Sequence, residues 1–158
     1  MKSDLNIYTS FVTKENLVTV IENFNMLPIF ILRSIRNSEL IGEYSGSAIH
    51  FRNLSPTSPL YQAWRDGLID FNEYKKRFLI ELSEIKLYEV IKKFENLCDI
   101  SEASGVVLFA YGEDPELSHR KILSDFINSS GVLEKPIIEF NYDEKTTIGN
   151  KNSGGCNK

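Results

Sequence analysis

One stretch, Val106–Ile127, constrains the fold of this chain more than any other. It opens with six apolar or aromatic residues in a row, Val106–Tyr111, a run too short for a buried helix and typical of a strand covered on both faces. Gly112 ends the run, and a turn follows. Apolar side chains then recur at helical spacing, at Ile122, Leu123, Phe126 and Ile127. Strand, tight turn and helix predict an α/β unit whose helix start directs backbone N–H groups and a positive dipole end at a ligand.

Three polar residues, Ser118, His119 and Arg120, lie at the start of that predicted helix. They suit an anionic ligand, because arginine offers phosphate or carboxylate a planar fork of donors. Structural roles compete with this hypothesis. Ser118 is a good N-cap, although Asp114-Pro115 is an equally good helix start. His119 is also suited to a bond with a backbone carbonyl at the core edge, and Arg120 to an ion pair with Glu116 one turn earlier.

Tyr111 and the His119-Arg120 pair are separated by seven residues and followed by an amphipathic helix. This frame resembles the domain-of-unknown-function 488 family of bacteria and phages, and the resemblance covers roughly residues 5–130. It is also carried by the segments Ile7-Tyr8-Thr9-Ser10, Leu27-Pro28-Ile29-Phe30-Ile31, Leu54-Ser55-Pro56 and Tyr74-Lys75-Lys76-Arg77-Phe78. The best-known members have cysteines where this chain has Ala110 and Ser118. The resemblance implies a Rossmann-like α/β domain and carries no established activity.

Three further apolar runs predict the remaining strands, at Leu5–Thr9, Pro28–Leu32 and Pro136–Phe140. Thr13 is a predicted N-cap for a helix between the first two, and a strand–helix–strand unit of this kind is parallel. Together with the Val106 run, these strands predict a single Rossmann-like three-layer α/β domain with a mainly parallel sheet, over residues 1–142. Residues 143–158 are polar and aperiodic, which predicts a disordered C-terminal tail.

The segment between the second and third of these strands falls into two parts. Residues 37–59 are rich in Gly, Pro and Ser and show little periodicity, which predicts a long functional or mobile loop. Helical patterns follow, as a short helix over Leu60–Arg65, a helix that begins at Asp70 with Glu73 in a capping box, and a helix over Leu87–Leu97. We therefore expect a helical insertion in the middle of the domain.

Composition narrows the classes of function. The net charge of −4 and the pI near 5.3 argue against a protein that must neutralise the phosphates of duplex nucleic acid. No apolar run approaches the roughly 20 residues of a membrane span, and no signal peptide opens the chain. Two cysteines and two histidines do not supply a zinc site of ordinary spacing. We expect a cytoplasmic protein without cofactor or metal, for which an oligomer is compatible with the sequence.

Parallel α/β sheets bind ligands outside the carboxyl ends of their strands. Three predicted strand ends therefore converge on one site with the start of the last long helix. The predicted ligand-binding residues are Thr9, Ser10, Arg33, Ser34, Tyr111, Gly112, Ser118, His119 and Arg120. Guanidiniums and hydroxyls suit a phosphate or carboxylate, and the rings of Tyr8, Trp64 and Tyr111 are candidates for stacking on a base.

The same residues argue against covalent catalysis. Ser118 is a poor substitute for a motif cysteine, because a serine needs a base and His119 points about 100° round the helix from it. We therefore predict a non-catalytic protein that binds a nucleotide-like or other phosphorylated anionic ligand, and that sequesters a signalling nucleotide if it is phage-encoded. The alternatives are an enzyme acting on a nucleotide or nucleobase with His119 as acid or base, and a protein-interaction module using the 37–59 loop.

Overall fold

The computed structural model describes residues 2–33 and 49–143 of the chain. Within these ranges five strands form one sheet in the order β3-β2-β4-β1-β5, and every neighbouring pair is parallel. The strands are β1 (Ile7–Phe11), β2 (Leu27–Phe30), β3 (Ile49–His50), β4 (Val106–Ala110) and β5 (Ile138–Glu139). The predicted Rossmann-like α/β domain with a parallel sheet is confirmed.

β4 lies at the centre of the sheet, although it is fourth in the sequence. Val106 pairs with Ile7 of β1 on one side and with Leu27 of β2 on the other. All five residues of β4 are fully buried. A strand covered on both faces has no polar side, and this explains its uninterrupted apolar sequence.

Helices cover both faces of the sheet. The helices are α1 (Lys14–Val18), which continues as a π-helical turn over Thr19–Asn23, α2 (Ser58–Arg65), α3 (Phe71–Leu82), α4 (Leu87–Ser101) and α5 (His119–Ser130). Two predicted helix starts are confirmed, since the Thr13 side chain accepts a hydrogen bond from the Asn16 N–H and Asp70 accepts one from the Glu73 N–H.

Alternating residues of β4 divide the core into two parts. Val107 and Phe109 pack with Leu17 and Val20 of the α1 segment on one face. Val106, Leu108 and Ala110 point to the other face, where they pack with buried side chains of α2, α3, α4 and α5. The period of two along a strand therefore produces the three layers: one helical segment, the sheet, and a four-helix layer.

Several predicted elements differ from the structure in their bounds, and the differences in β1 and in the 37–59 loop bear on the site. β1 begins and ends two residues later than predicted, because its pairing with β4 runs from Ile7 to Phe11 and leaves Leu5 outside the ladder. The described part of the predicted 37–59 loop contains β3, a short 3-10 helix over Arg52–Leu54 and the first turn of α2. A two-residue edge strand is too short to show alternation, so β3 has no signal in the amino-acid sequence.

Both predicted starts of the last long helix occur. A 3-10 turn over Pro115–Leu117 is capped by Asp114, whose side chain accepts from the Glu116 N–H at 3.0 Å. α5 then begins at His119, with the Ser118 side chain accepting from the Arg120 N–H at 3.3 Å. The alternatives that the sequence left open are thus two successive caps.

Several predictions fall on residues outside the described ranges. One is the prediction of a disordered tail, which falls on residues 144–158. Another concerns the greater part of the 37–59 loop, which the protein-interaction alternative uses. Among the helices of the described ranges, none has the length and apolar content to cross a membrane.

Candidate functional site

A cavity of about 570 Å³ lies at the carboxyl ends of β2 and β4. Leu32 and Arg33 follow β2, Tyr111 and Gly112 follow β4, and all four line the cavity. The start of α5 and one side of α2 complete the wall, with Ser55 and Pro56 between them. This is the place where parallel α/β sheets bind ligands, and the volume falls in the range of small-molecule sites.

The structure brings together five of the predicted site residues and separates others. Those that line the cavity are Arg33, Tyr111, Gly112, Ser118 and His119. Ser34 lies outside the described residues. Thr9 and Ser10 lie inside β1 rather than at its end, and their hydroxyls bond to the Glu139 carboxylate at 2.8 Å and the Tyr142 hydroxyl at 2.7 Å. These two residues do not line the cavity, because β1 extends two residues further than predicted.

An aromatic cluster forms the α2 side of the cavity. The rings of Trp64 and Tyr74 stack with centroids 4.7 Å apart and planes 20° apart, and Tyr61 meets Trp64 edge-on at 6.1 Å. Trp64 was predicted from the sequence as a candidate for stacking, but its partners were not. Tyr61, Trp64 and Arg65 are spaced at i, i+3 and i+4, which is the signal that would have placed them on one face of α2. Tyr8 instead packs against Phe140, away from the cavity.

Two arginines give the cavity a positive character. The Nε of Arg33 donates to the carbonyl of Pro56 at 2.8 Å, and its Nη2 donates to the carbonyl of Ser55 at 3.4 Å. The guanidinium of Arg65 lies 6.0 Å from the centre of the Tyr61 ring, within the range of a cation–π contact. Among the described residues that line the cavity, none is acidic. The described part of the wall therefore carries positive charge, which suits an anionic ligand.

His119 lies at the buried end of the cavity, where it is 8% exposed. Its Nε2 is 2.5 Å from the carbonyl oxygen of Ile31, and its ring meets the Phe78 ring nearly at a right angle. Burial lowers the pKa of His119 from 6.5 to about 4, the hydrogen bond to Ile31 acts in the opposite direction, and the charge of Arg120 lowers it further. Burial is the main cause of this lowered pKa, which favours a neutral imidazole near pH 7.

Arg120 is fully buried and does not line the cavity. Its Nε donates to Glu139 Oε1 at 3.0 Å and its Nη2 to Glu139 Oε2 at 2.9 Å. The other donors reach the loop after β4: Nη1 donates to the Gly112 carbonyl at 2.7 Å, and Nη2 to the Glu113 carbonyl at 3.1 Å. The alternative of a surface pair between Arg120 and Glu116 is wrong, because the helix turns Arg120 toward β5 and the core.

These contacts give Arg120 a positioning role. The loop that it holds, Tyr111–Glu113, supplies two lining residues of the cavity. Gly112 in this loop has φ of +93°, a conformation that favours glycine. A substituted Cβ at Gly112 would have no neighbour within 4 Å, so backbone conformation rather than space accounts for glycine here. The loop, its glycine and Arg120 form one unit.

Ser118 has two structural bonds and no base beside it among the described residues. Its hydroxyl accepts from the Arg120 N–H at 3.3 Å and lies 3.4 Å from the carbonyl oxygen of Tyr111, to which it donates. Within the described residues the Ser118 hydroxyl bonds to backbone groups, and neither nitrogen of the neighbouring His119 ring bonds to it. This geometry is that of a helix cap rather than an activated nucleophile.

Comparison with known proteins places this chain in a family. No curated protein and no solved structure matches the chain. The family model of DUF488-N3a, described as the active DUF488-N3 subclade, matches residues 32–131, more than half of the chain. The matched range contains every described residue of the cavity wall, from Leu32 through α2 to the start of α5. The resemblance noted from the sequence is confirmed, and the chain belongs to the DUF488-N3a family.

Proposed function

We propose that this protein binds an anionic small molecule that carries an aromatic ring, such as a nucleotide. One observation carries the proposal: a single cavity combines stacked aromatic side chains with two arginines, and no acidic residue lines it among the described residues. Stacking of a base on an aromatic side chain contributes about 1–3 kcal/mol, and a hydrogen bond to a charged group about 1.5–3 kcal/mol.

Burial along the cavity supports an orientation for the ligand. Arg65 and Gln62 are exposed, whereas Tyr74 is 1% and His119 8% exposed. A planar ring loses water at little cost, and a phosphate keeps part of its hydration at an open rim. We therefore place the aromatic ring at the buried end, near Tyr74 and His119, and the anionic group near the rim, within reach of Arg65.

Binding without covalent chemistry is favoured by the contacts of Ser118, which bonds to backbone groups and not to His119. In the proposed arrangement Arg120 does not touch the ligand, because its five N–H groups are directed to protein acceptors. We assign to Arg33 and Arg65 the anion contact that the sequence predicted for Arg120. Such a protein would sequester its ligand rather than convert it.

The test uses the one tryptophan of the chain, Trp64, which lines the cavity. Titration with a panel of nucleoside monophosphates should quench its fluorescence, with calorimetry as an independent measure. Arg65→Ala and Arg33→Ala should each weaken binding about tenfold to a hundredfold. Arg77→Ala is the matched control, since Arg77 is an exposed arginine that pairs with Glu73 on α3. No saturable quenching by any nucleotide, or equal losses in all three variants, would contradict the proposal.

A second candidate is an enzyme acting on a nucleotide or nucleobase, with His119 as acid or base. The observation in its favour is the neutral imidazole at the buried end of the cavity. Chromatography of the same incubations separates the two functions. Unchanged nucleotide after prolonged incubation with saturating protein supports binding, whereas a product that disappears with His119→Gln assigns catalysis.

A further inference from the structure

The hydrogen bond of His119 fixes which of its nitrogens carries the proton. The carbonyl oxygen of Ile31 can only accept, so the Nε2 at 2.5 Å from it must donate. A neutral imidazole has one N–H group. Nδ1 of His119 is therefore an acceptor. The main-chain carbonyl of Ile31, which follows β2, determines this tautomer.

No described residue donates to this acceptor. The Ile31 carbonyl is the hydrogen-bond partner of His119 within the described residues, and the ring is 92% buried, being 8% exposed. Among the side-chain nitrogens and oxygens of those residues, the sealed atom without a partner is Nδ1 of His50. Within residues 2–33 and 49–143, Nδ1 of His119 is thus neither bonded nor sealed, and because His119 lines the cavity, we infer that a ligand there can reach it.

The His119 ring is held in place on two sides. Phe78 packs edge-on against it with centroids 5.8 Å apart and planes 87° apart, and the Ile31 carbonyl holds the opposite nitrogen. Rotation of the ring to present Nε2 to the cavity would break the bond to Ile31. A fixed acceptor at the buried end of a cavity distinguishes ligands by what they present to it, because an unpaired buried acceptor weakens binding.

We infer that the cavity selects amino-bearing nucleobases, with Nδ1 of His119 accepting a hydrogen bond from the exocyclic amino group. This inference rests on the proposed function, since it concerns the ring that the aromatic wall would hold. An oxygen acceptor or a bare C–H at the same position of the base leaves Nδ1 without a donor. His119 is then a specificity-determining residue, whereas the arginines do not distinguish one nucleobase from another.

The experiment compares three pairs of nucleotides that differ by one amino group. The pairs are AMP with purine riboside monophosphate, CMP with the monophosphate of pyrimidin-2-one riboside, and GMP with IMP. In the wild-type protein the amino member of at least one pair should bind tenfold or more tightly than its partner, by quenching of Trp64. Equal affinities within every pair, or tightest binding of UMP, would overturn the inference while leaving nucleotide binding intact.

Two variants assign the preference to His119. His119→Gln keeps an N–H that reaches the Ile31 carbonyl and removes the acceptor at the δ position, so the ratio within the preferred pair should fall to about one. His119→Asn places an amide oxygen near the δ position and should restore part of the ratio. An unchanged ratio in a folded His119→Gln variant overturns the assignment. If that variant does not fold, the affinities of the nucleotide pairs for the wild-type protein are the test of the inference. Binding of none of the seven nucleotides, the six of the pairs and UMP, overturns the proposed function and this inference together.

Discussion

The guanidinium of Arg120 and the carboxylate of Glu139 form a two-pronged ion pair, with contacts of 3.0 Å from Nε to Oε1 and 2.9 Å from Nη2 to Oε2. Arg120 is fully buried, whereas the Glu139 side chain is 35% exposed. Thr9 of β1 donates to the same carboxylate at 2.8 Å. The pair therefore connects the two strands at one side of the sheet to the loop that lines the cavity.

The two partners of this pair should differ in how much their loss destabilises the fold. Glu139→Ala leaves a fully buried cation without its counter-charge and should lower the free energy of unfolding by about 3–5 kcal/mol. Arg120→Met removes the cation and leaves Glu139 partly hydrated, so we expect a smaller loss of about 2 kcal/mol from the unpaired loop carbonyls. Urea denaturation measures both.

The double variant and a surface pair complete this test. Combining Glu139→Ala with Arg120→Met should cost less than the two single losses together, because no unpaired cation remains. The exposed Arg77–Glu73 pair, at 2.7 Å, is the control, and breaking it should cost less than about 0.5 kcal/mol. Additive losses at Arg120 and Glu139 would show that their ion pair does not contribute to stability.

Stability should depend on pH through His119. Its pKa is about 4 in the folded protein and 6.5 in a free chain, so between these values the unfolded state binds a proton that the folded state does not. The contribution of His119 is complete above pH 6.5 and is lost as the pH falls toward 4, a change on the order of 3 kcal/mol. The difference in unfolding free energy between wild type and His119→Gln should follow this course. An NMR titration midpoint near 6.5 would contradict it.

Gly112→Ala should affect both the fold and the cavity. A side chain at φ of +93° strains the backbone by about 1–3 kcal/mol and shifts the loop that Arg120 holds. Gly131→Ala is the matched control, since Gly131 has φ of +78° at the end of α5, away from the cavity. Both variants should lose stability, and only Gly112→Ala should weaken nucleotide affinity in the Trp64 titration. Equal nucleotide affinities of the two variants would show that the loop is not part of the binding site.

Ser118→Ala should lose a helix cap and no covalent chemistry. The missing acceptor for the Arg120 N–H should lower the free energy of unfolding by about 1 kcal/mol, and Ser118→Asp, which can also cap, should lose less. Ligand affinity should change less than about tenfold, because a neutral hydrogen bond contributes roughly 0.5–1.5 kcal/mol. A covalent adduct on Ser118, detected by mass spectrometry after incubation with nucleotides, would show that the serine is a nucleophile.

Elements that depend on a local signal were predicted most accurately from the sequence. The apolar run of β4 predicted a strand buried on both faces, and the caps at Thr13 and Asp70 predicted two helix starts. A helix cap involves residues within one turn of each other. The buried face of a helix or strand can be predicted from the spacing of its own apolar residues. The strand–turn–helix unit at Tyr111–His119 likewise marked one side of the cavity before its other side was known.

Predictions that depended on long-range pairing were less complete. β3 was missed, because two residues on the edge of a sheet carry no periodic pattern. The aromatic cluster was recognised only at Trp64, since its stacking on Tyr74 depends on how α2 packs against α3. Arg120 was assigned to a ligand or to Glu116, one turn away, whereas its acceptors lie on β5 and on the loop after β4.

By itself the sequence determined the class of this protein: a parallel α/β domain of the DUF488 family, with polar residues at the start of α5. Only the tertiary structure decided which of those residues face the cavity and which face the core. His119 and Arg120 are neighbours in sequence, yet the turn of the helix sends one to the cavity wall and the other to Glu139. That division follows from strand order, which places β1 and β5 beside β4, and strand order is set by packing between distant segments.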